Sequence, residues 1–189
     1  MFFKFSIESF TTWTLLTSAT ALVTYLFQDY MKKKYNMRIL FFEPLFYRPK
    51  ESSCPNIADL VNCLNLAQKS IDVCVYTISS EPLTDAIINA YNRGVLVRVV
   101  VSNGVLLYSK EVKKLMKYGV ETKFQADYNV YMHNKFAIVD SSTLINGSMN
   151  WTHQGAFQNW ESVLITNNPS FVRPFNEYFD RVWVRISIE

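Results

Sequence analysis

The seven residues VLVRVVV, from Val95 to Val101, constrain the fold of this chain more than any other feature. A β-branched run with no polar alternate face reads as a strand buried on both sides, which needs a covering layer over each face. Its neighbours follow the same logic. Met37–Phe42 (MRILFF) reads as a short buried strand, and Ile71–Thr77 (IDVCVYT) as another, bounded by Ser79 and Ser80. Pro55 opens a helix running to about Lys69, with Ile57, Leu60, Val61, Leu64 and Ala67 on one stripe. Ser80 is placed to cap a second helix that runs through Arg93 and stops at Gly94. A third helix, at about Ser109–Tyr118, ends at Gly119 and leads into the strand Val120–Phe124. Strands follow at Lys135–Val139, Thr143–Ile145 and Trp160–Thr166, and Asn168-Pro169 opens a last helix. Strands alternating with helices predict an α/β fold, a mixed sheet with helices on both faces. The strand order is not readable at this level.

Ahead of this body lies a different kind of segment. Phe10 to Phe27 is eighteen residues without a charge, followed by Asp29 and the run Lys32-Lys33-Lys34. As a helix it would be about 27 Å long, close to the thickness of a bilayer core. Eleven of the eighteen are apolar, six are Thr and one is Ser, so it is only moderately hydrophobic. Ala19-Thr20-Ala21 would suit a signal peptidase, but Lys4 alone precedes the stretch and the basic residues follow it. A buried core helix would not end so strongly basic. The expectation is an uncleaved membrane anchor, residues 1–36, with Lys32–Lys34 and the domain 37–189 on the cytosolic side.

Hydrophobic residues make up 49% of the 189, enough for one core and too many for a disordered chain. The formal charge of +3 does not announce a nucleic-acid binder, so any basic surface must be local. Cys54, Cys63 and Cys74 are an odd number without close pairing, which fits a reducing compartment.

The chain has two histidines, His133 and His153. On a strand, His133 and Lys135 project from one face, so an imidazole stands beside a fixed ammonium. That pair suits attack on a phosphate: the lysine neutralises non-bridging oxygens while the histidine attacks phosphorus. Asp140 falls at the end of the strand, where it can brace the turn. Further on come Gly147-Ser148-Met149-Asn150 and Asn159-Trp160-Glu161. Ser148 and Asn150 are neutral donors for phosphate oxygens, and Glu161 can orient the His133 ring. Each piece alone is weak, and Gly147-Ser148 alone is more often just a turn. His153 fits a capping or surface role.

Taken in order, His133-x-Lys135-x4-Asp140, Gly147-Ser148-x-Asn150 and Asn159-x-Glu161 resemble the signature of the phospholipase D superfamily. The segments IDVCVYTISS, NRGVLVRVVV, MHNKFAIVD and GSMNWT look more closely like the Zucchini, or mitochondrial phospholipase D, family. The resemblance implies metal-independent phosphodiester cleavage through a phosphohistidine. One motif per chain then implies a homodimer: one His133 attacks and the partner's protonates the leaving oxygen. Lys135 and Asn150 would hold the phosphate, with Ser148 a secondary donor, Glu161 orienting the imidazole, and Asp140 and Asn159 bracing the motif. It further implies the mitochondrial outer membrane, with the catalytic domain facing the cytosol. Zucchini-type proteins also carry a Cys/His zinc site between the first strand and the next helix. Glu43 to Asn62 here offers only Cys54, with Cys63 just beyond and no histidine near, so no metal or other cofactor is expected.

The same chemistry serves two substrates. Lys110, Lys113, Lys114 and Lys117 on successive turns, with Lys123 after them, could form a phosphate track for single-stranded nucleic acid. The resemblance makes that substrate single-stranded RNA, cut during the biogenesis of small guide RNAs of the piRNA type, and this is the leading expectation. The alternative is a lipid phosphodiesterase releasing phosphatidic acid from cardiolipin, for which apolar walls near the motif (Phe124, Tyr128, Val130, Tyr131) would be needed.

Overall fold

A computed structural model describes residues 7–47, 49–102, 109–125 and 129–186, without the side chains of residues 7–12 and 31–34. It falls into two compact units, the first closing at Asn36 and the second opening at Met37. Tyr128, expected in an apolar wall, lies outside the described residues, as does Lys4.

Among the described residues the first unit is a single helix, α1, Ile7–Lys34. Its length of 28 residues exceeds the span of a bilayer core, about 20 residues. The expected apolarity is not met: among the described residues no helix is long and apolar enough to cross a membrane. The physical reason is the threonine content of the stretch. The hydroxyls of Thr17, Ser18, Thr20 and Thr24 nevertheless turn inward, each donating to a carbonyl four residues back at 2.7–3.0 Å.

The second unit is built on a seven-stranded mixed sheet. In chain order its elements are β1 (Met37–Phe42), α2 (Pro55–Asn65), β2 (Ser70–Val75), α3 (Glu81–Asn92), β3 (Leu96–Ser102), α4 (Lys110–Lys117), β4 (Glu121–Gln125), β5 (Lys135–Val139), β6 (Thr143–Gly147), α5 (His153–Phe157), β7 (Glu161–Thr166) and α6 (Pro169–Arg185). The strands lie in the order β1-β7-β6-β5-β2-β3-β4. β2, β3 and β4 run parallel, joined by the crossovers through α3 and α4, while β5, β6 and β7 form an antiparallel meander. α2 stops at Asn65, four residues short of its expected end, because Leu66 closes it as a C-cap. Gly94 and Gly119, both at φ 87°, end α3 and α4 in the left-handed region open to glycine. Ser80 occupies the N-cap of α3, but its hydroxyl makes no capping bond and is buried without a partner among the described residues.

Each face of the sheet has its own core. Val73, Val75, Val97, Val99 and Val101 pack under α2, α3 and α4 through Ile57, Leu60, Leu64, Leu83, Ile87 and Leu115. Cys74, Val100, Phe136, Ile138 and Leu144 pack under α6 through Val172 and Phe179. Each fully buried Leu or Ile contributes about 1.5–3 kcal/mol. The lone polar residue of the VLVRVVV run, Arg98, sits on the α6 side. It holds Asp72 through two bonds of 2.6 and 2.9 Å, reaches Asp180 at 3.0 Å, and lies 4.8 Å from the Phe179 ring centroid. The guanidinium thereby pins α6 to the sheet instead of leaving an unpaired charge inside it.

Strand registers then gather the chemistry on one edge. Val75 pairs with Lys135, Phe136 with Asn146, Gly147 with Val163, and Phe42 with Glu161. The ends of β2 and β6 and the starts of β5 and β7 therefore meet.

Candidate active site

His133 stands just before β5 and is exposed. Its imidazole packs against the Tyr76 ring, centroids 4.9 Å apart, and takes no hydrogen bond at the ring among the described residues. Lys135 opens β5 and is only 8% exposed, its ammonium 2.8 Å from the main-chain oxygen of His133 and 5.3 Å from the Tyr76 ring centroid. Burial pushes the Lys135 ammonium below the ordinary lysine range, partly offset by the Glu161 carboxylate.

The next segment approaches from β6 and β7. Gly147 permits it: a Cβ there would lie 2.0 Å from the Ser162 oxygen, closer than any side chain tolerates. That close pass lets Ser148 clasp β7, its N donating to the Ser162 oxygen at 3.0 Å and its Oγ accepting from the Ser162 N at 3.1 Å. Since the hydroxyl only accepts there, its proton stays available for a phosphate oxygen. Asn150 follows, with its amide oxygen buried and unpaired among the described residues. An acceptor left so costs about 1–3 kcal/mol and calls for a donor, which a phosphate anion does not carry, so it is the Asn150 amide N–H2 that can serve a phosphate oxygen.

Three expected roles are not what the geometry displays. Within one chain, among the described residues, Glu161 makes no hydrogen bond to the His133 ring: one carboxylate oxygen accepts from the Asn159 amide at 2.9 Å, and the carboxylate acts on Lys135 through charge. The lysine track is broken by the sheet itself. Lys110, Lys113, Lys114 and Lys117 ride on α4 over the larger core, whereas Lys123 faces α6, its ammonium 3.9 Å from the Trp183 ring centroid. Lys114 is also tied to Asp85, and Lys110 lies 3.4 Å from Glu111. Phe124, an expected wall of a lipid pocket, packs instead against the main core.

Asp140 lies at the far end of β5, about 16 Å from Lys135 at 3.3 Å per residue. Its carboxylate accepts from the backbone N of Gln68, Lys69 and Ser70 at 2.7–3.1 Å. Burial pushes this acid up, but those bonds and the Lys69 charge outweigh it and leave the pKa below its ordinary value. Asp140 thus ties β5 to the loop before β2 and cannot touch a phosphate at His133.

His153 is engaged elsewhere, its Nε2 3.1 Å from the Pro49 oxygen and its ring 5.0 Å from that of Phe157. Thr152, not His153, caps α5. Burial pushes the Cys74 thiol up to about 12, so it stays neutral. Among the described residues, no group of three or more His, Cys, Asp or Glu side chains is placed to hold a metal ion. The residue that sequence reasoning missed is Tyr76. Its signal is position, one residue beyond β2 where that strand faces the start of β5, and that signal means nothing until the strand order is known.

The arrangement can do one kind of chemistry well. An exposed imidazole beside a buried ammonium, with a serine hydroxyl and an asparagine amide N–H2 on the adjoining turn, suits a tetrahedral anion meeting a nucleophile. Comparison with known proteins points the same way. A family model described as cardiolipin synthase, PLD-like domain, matches residues 60–183, which include the whole edge from Tyr76 to Glu161. The chain is 34% identical over 169 residues to the mitochondrial cardiolipin hydrolase of Xenopus tropicalis, covering 82% of this chain and 80% of that protein. It is 41% identical over 128 residues to the human protein of the same name, covering 67% of this chain and 50% of that one. The phospholipase D family member Nuc from Salmonella typhimurium shares the fold, with a TM-score of 0.65 at 20% identity over 79% of this chain and 94% of that one. Enzymes of this family need no metal for the reaction. Family model and relatives together cover most of the second unit, and the chain belongs to the phospholipase D superfamily, in its mitochondrial cardiolipin hydrolase (Zucchini) group, as a phosphodiesterase.

Proposed function

We propose that this enzyme hydrolyses the phosphodiester of a membrane phospholipid of the cardiolipin type. The observation that carries this reading is an apolar groove of about 230 Å³ that begins at the nucleophile's own segment. Val130, Tyr131 and Met132 form one wall, and Val182 and Ile186 at the end of α6 the other, with Arg185 beside them. Such a lining suits a fatty-acyl glycerol better than a hydrated sugar. Tyr47, in the loop after β1, and Trp160, just before β7, are also exposed, and such side chains favour a lipid interface. The names of the relatives support the same substrate.

In this reading a His133 ring nitrogen attacks phosphorus, and the P–O bond to the leaving alcohol breaks. The His133 of a second copy, protonated, gives its proton to that oxygen. Water then attacks the phosphohistidine, with the second imidazole taking its proton, and the acid product leaves. Lys135, Ser148 and Asn150 bind the phosphate oxygens. The homodimer follows from the count of one such histidine per chain. The helix α1 would hold the enzyme at a membrane, its back-bonded hydroxyls needing no water. The names of the relatives favour the mitochondrion, and a catalytic unit facing the cytosol from its outer membrane is the placement this reading adopts.

One observation favours the second substrate, single-stranded RNA. Tyr131 and Tyr178 are exposed near Arg181 and Arg185, and Arg181 lies 5.8 Å from the Tyr178 ring centroid. Aromatic faces interleaved with arginine suit stacked bases and their phosphates, and this set would replace the broken lysine track. The deciding experiment incubates the full chain with cardiolipin vesicles and, separately, with labelled single-stranded RNA, both in EDTA. Phosphatidic acid release at a rate well above RNA cleavage is the expected result, and RNA cleavage with intact lipid overturns the lipid reading.

A further inference from the structure

We propose that Tyr76 is the positioning residue of this site: its aromatic ring, and no carboxylate of the same chain, sets the His133 imidazole and seats Lys135 beside it. The inference rests on the phosphodiesterase reading of His133 and does not depend on which substrate is cut.

Four contacts meet at this residue. The Tyr76 ring lies 4.9 Å from the His133 ring at an interplanar angle of 56°, and 6.1 Å from Tyr131 edge-on at 74°. The Lys135 ammonium sits 5.3 Å from its centroid. Its backbone N donates to the Asn134 oxygen at 2.7 Å, locking β2 to the residue between His133 and Lys135. Tyr76 therefore touches both groups of the motif and the main chain that joins them. The side chain is half-buried at the end of a strand whose preceding residues are fully buried, so it cannot drift.

The expected orienting group, Glu161, is held by Asn159, which leaves Tyr76 as the imidazole's ring contact among the described residues. An aromatic face also favours a cation above it. Tyr76 thus favours the Lys135 ammonium while fixing where both groups point. The phenol oxygen makes no hydrogen bond among the described residues, so the ring is the working part and Phe should serve as well.

The test compares Tyr76→Phe and Tyr76→Leu in the full chain. Loss of the ring is expected to lower kcat roughly a hundredfold through misplacement of the nucleophile, with KM little changed. Proton NMR supplies a readout without substrate. The His133 ring protons, assigned with His133→Ala, should show an upfield ring-current shift and cross-peaks to Tyr76 in wild type, and the same to the new ring in Tyr76→Phe. Wild-type kcat in Tyr76→Leu would overturn the proposal. Failure of Phe to rescue would also overturn it, since the hydroxyl would then be the active group. Should Tyr76→Leu not fold, absence of His133–Tyr76 cross-peaks in the wild type overturns it alone. Failure of the phosphodiesterase reading would look different: wild type inert on both substrates, with the ring contact intact.

Discussion

The Lys135 ammonium donates to the main-chain oxygen of His133, the residue that carries the attacking ring, at 2.8 Å. One of its three protons is thus spent on holding its own strand in place, and two remain for a phosphate. A cation fixed this way in a nearly water-free position needs no reorganisation when charge develops on the phosphate. Lys135→Ala should therefore lose about 10²–10³ in kcat, the usual loss for one well-placed donor. Lys135→Arg should not restore it, because the planar guanidinium is too large for the space beside Tyr76. Steady-state kinetics on folded variants check both, and a kcat within a few-fold of wild type for either would contradict this role.

The same burial gives the site an alkaline limit that is not unfolding. Because desolvation depresses the Lys135 pKa in the folded state, the unfolded chain binds more protons between that lowered value and the ordinary 10.5. Stability from this group therefore rises with pH across that window, even as the ammonium and the activity are lost. Thermal melts and kcat measured over the same alkaline series should diverge, with activity falling first. Lys135→Met should remove this group's contribution to the slope of stability against pH. Activity and melting temperature falling together would show that the alkaline limb is denaturation.

Chelation should leave turnover unchanged. Nucleophile, acid and phosphate-binding charge are all supplied by His133, Lys135 and their neighbours, so no Lewis acid is required. Rates in EDTA equal to those in magnesium are the expected result. A loss on chelation that magnesium or manganese restores would mean that the motif works differently.

Much of this architecture is legible in the amino-acid sequence. The runs IDVCVYT and VLVRVVV announce buried strands because β-branched residues fit little else, and Gly94 and Gly119 mark helix ends through their open left-handed region. What the sequence does not display is anything decided between elements. Helical spacing groups Lys110 to Lys117 correctly on α4, but only the packing shows that Lys123 turns to α6 on the other side of the sheet. Gly147 reads as a turn, whereas its necessity comes from the β7 backbone passing where a Cβ would stand. Chemical fit assigns Glu161 to His133, whereas its pairing with the Asn159 amide is visible only in the folded chain. Tyr76 carries no signal of its own, because its partners lie more than fifty residues away and meet it only through the β2–β5 pairing.

Asp140 should be a stability residue and not a chemical one. Replacing it by Ala strips three backbone donors of their acceptor; those of Gln68 and Lys69 are exposed and can turn to water, so the cost falls on the half-buried Ser70 N and is about 1 kcal/mol. Asp140→Asn keeps one acceptor oxygen and should cost less. Since the folded pKa is depressed, the stabilisation is present above the ordinary 3.8 and is lost as pH falls through the folded value. Acid melts should show wild type losing its advantage over Asp140→Ala in that range, with kcat of the folded variants near wild type at neutral pH. A variant that is fully stable but inactive would place Asp140 in the chemistry after all.

The strictest expectation concerns the number of chains in one active site. Phosphohistidine chemistry needs one neutral imidazole to attack and one protonated imidazole to give. This chain has two histidines, and His153 is turned to the Pro49 oxygen and the Phe157 ring, with no lysine two residues on. The second imidazole must then come from another copy, and a two-fold axis between two His133 side chains is the arrangement that supplies it symmetrically. Two imidazolium charges placed close together disfavour each other, so identical residues titrate in two steps and the pH–rate profile should be bell-shaped. Mixing His133→Ala chains into wild type, with subunits free to exchange, should lower activity as the square of the wild-type fraction, because a mixed pair holds only one working ring. Activity should also fall on dilution through the dissociation constant of the dimer, followed by light scattering at the same concentrations. A decline linear in the wild-type fraction, or a monomer that keeps full turnover, would show that one chain carries the whole reaction and would remove the two-imidazole mechanism.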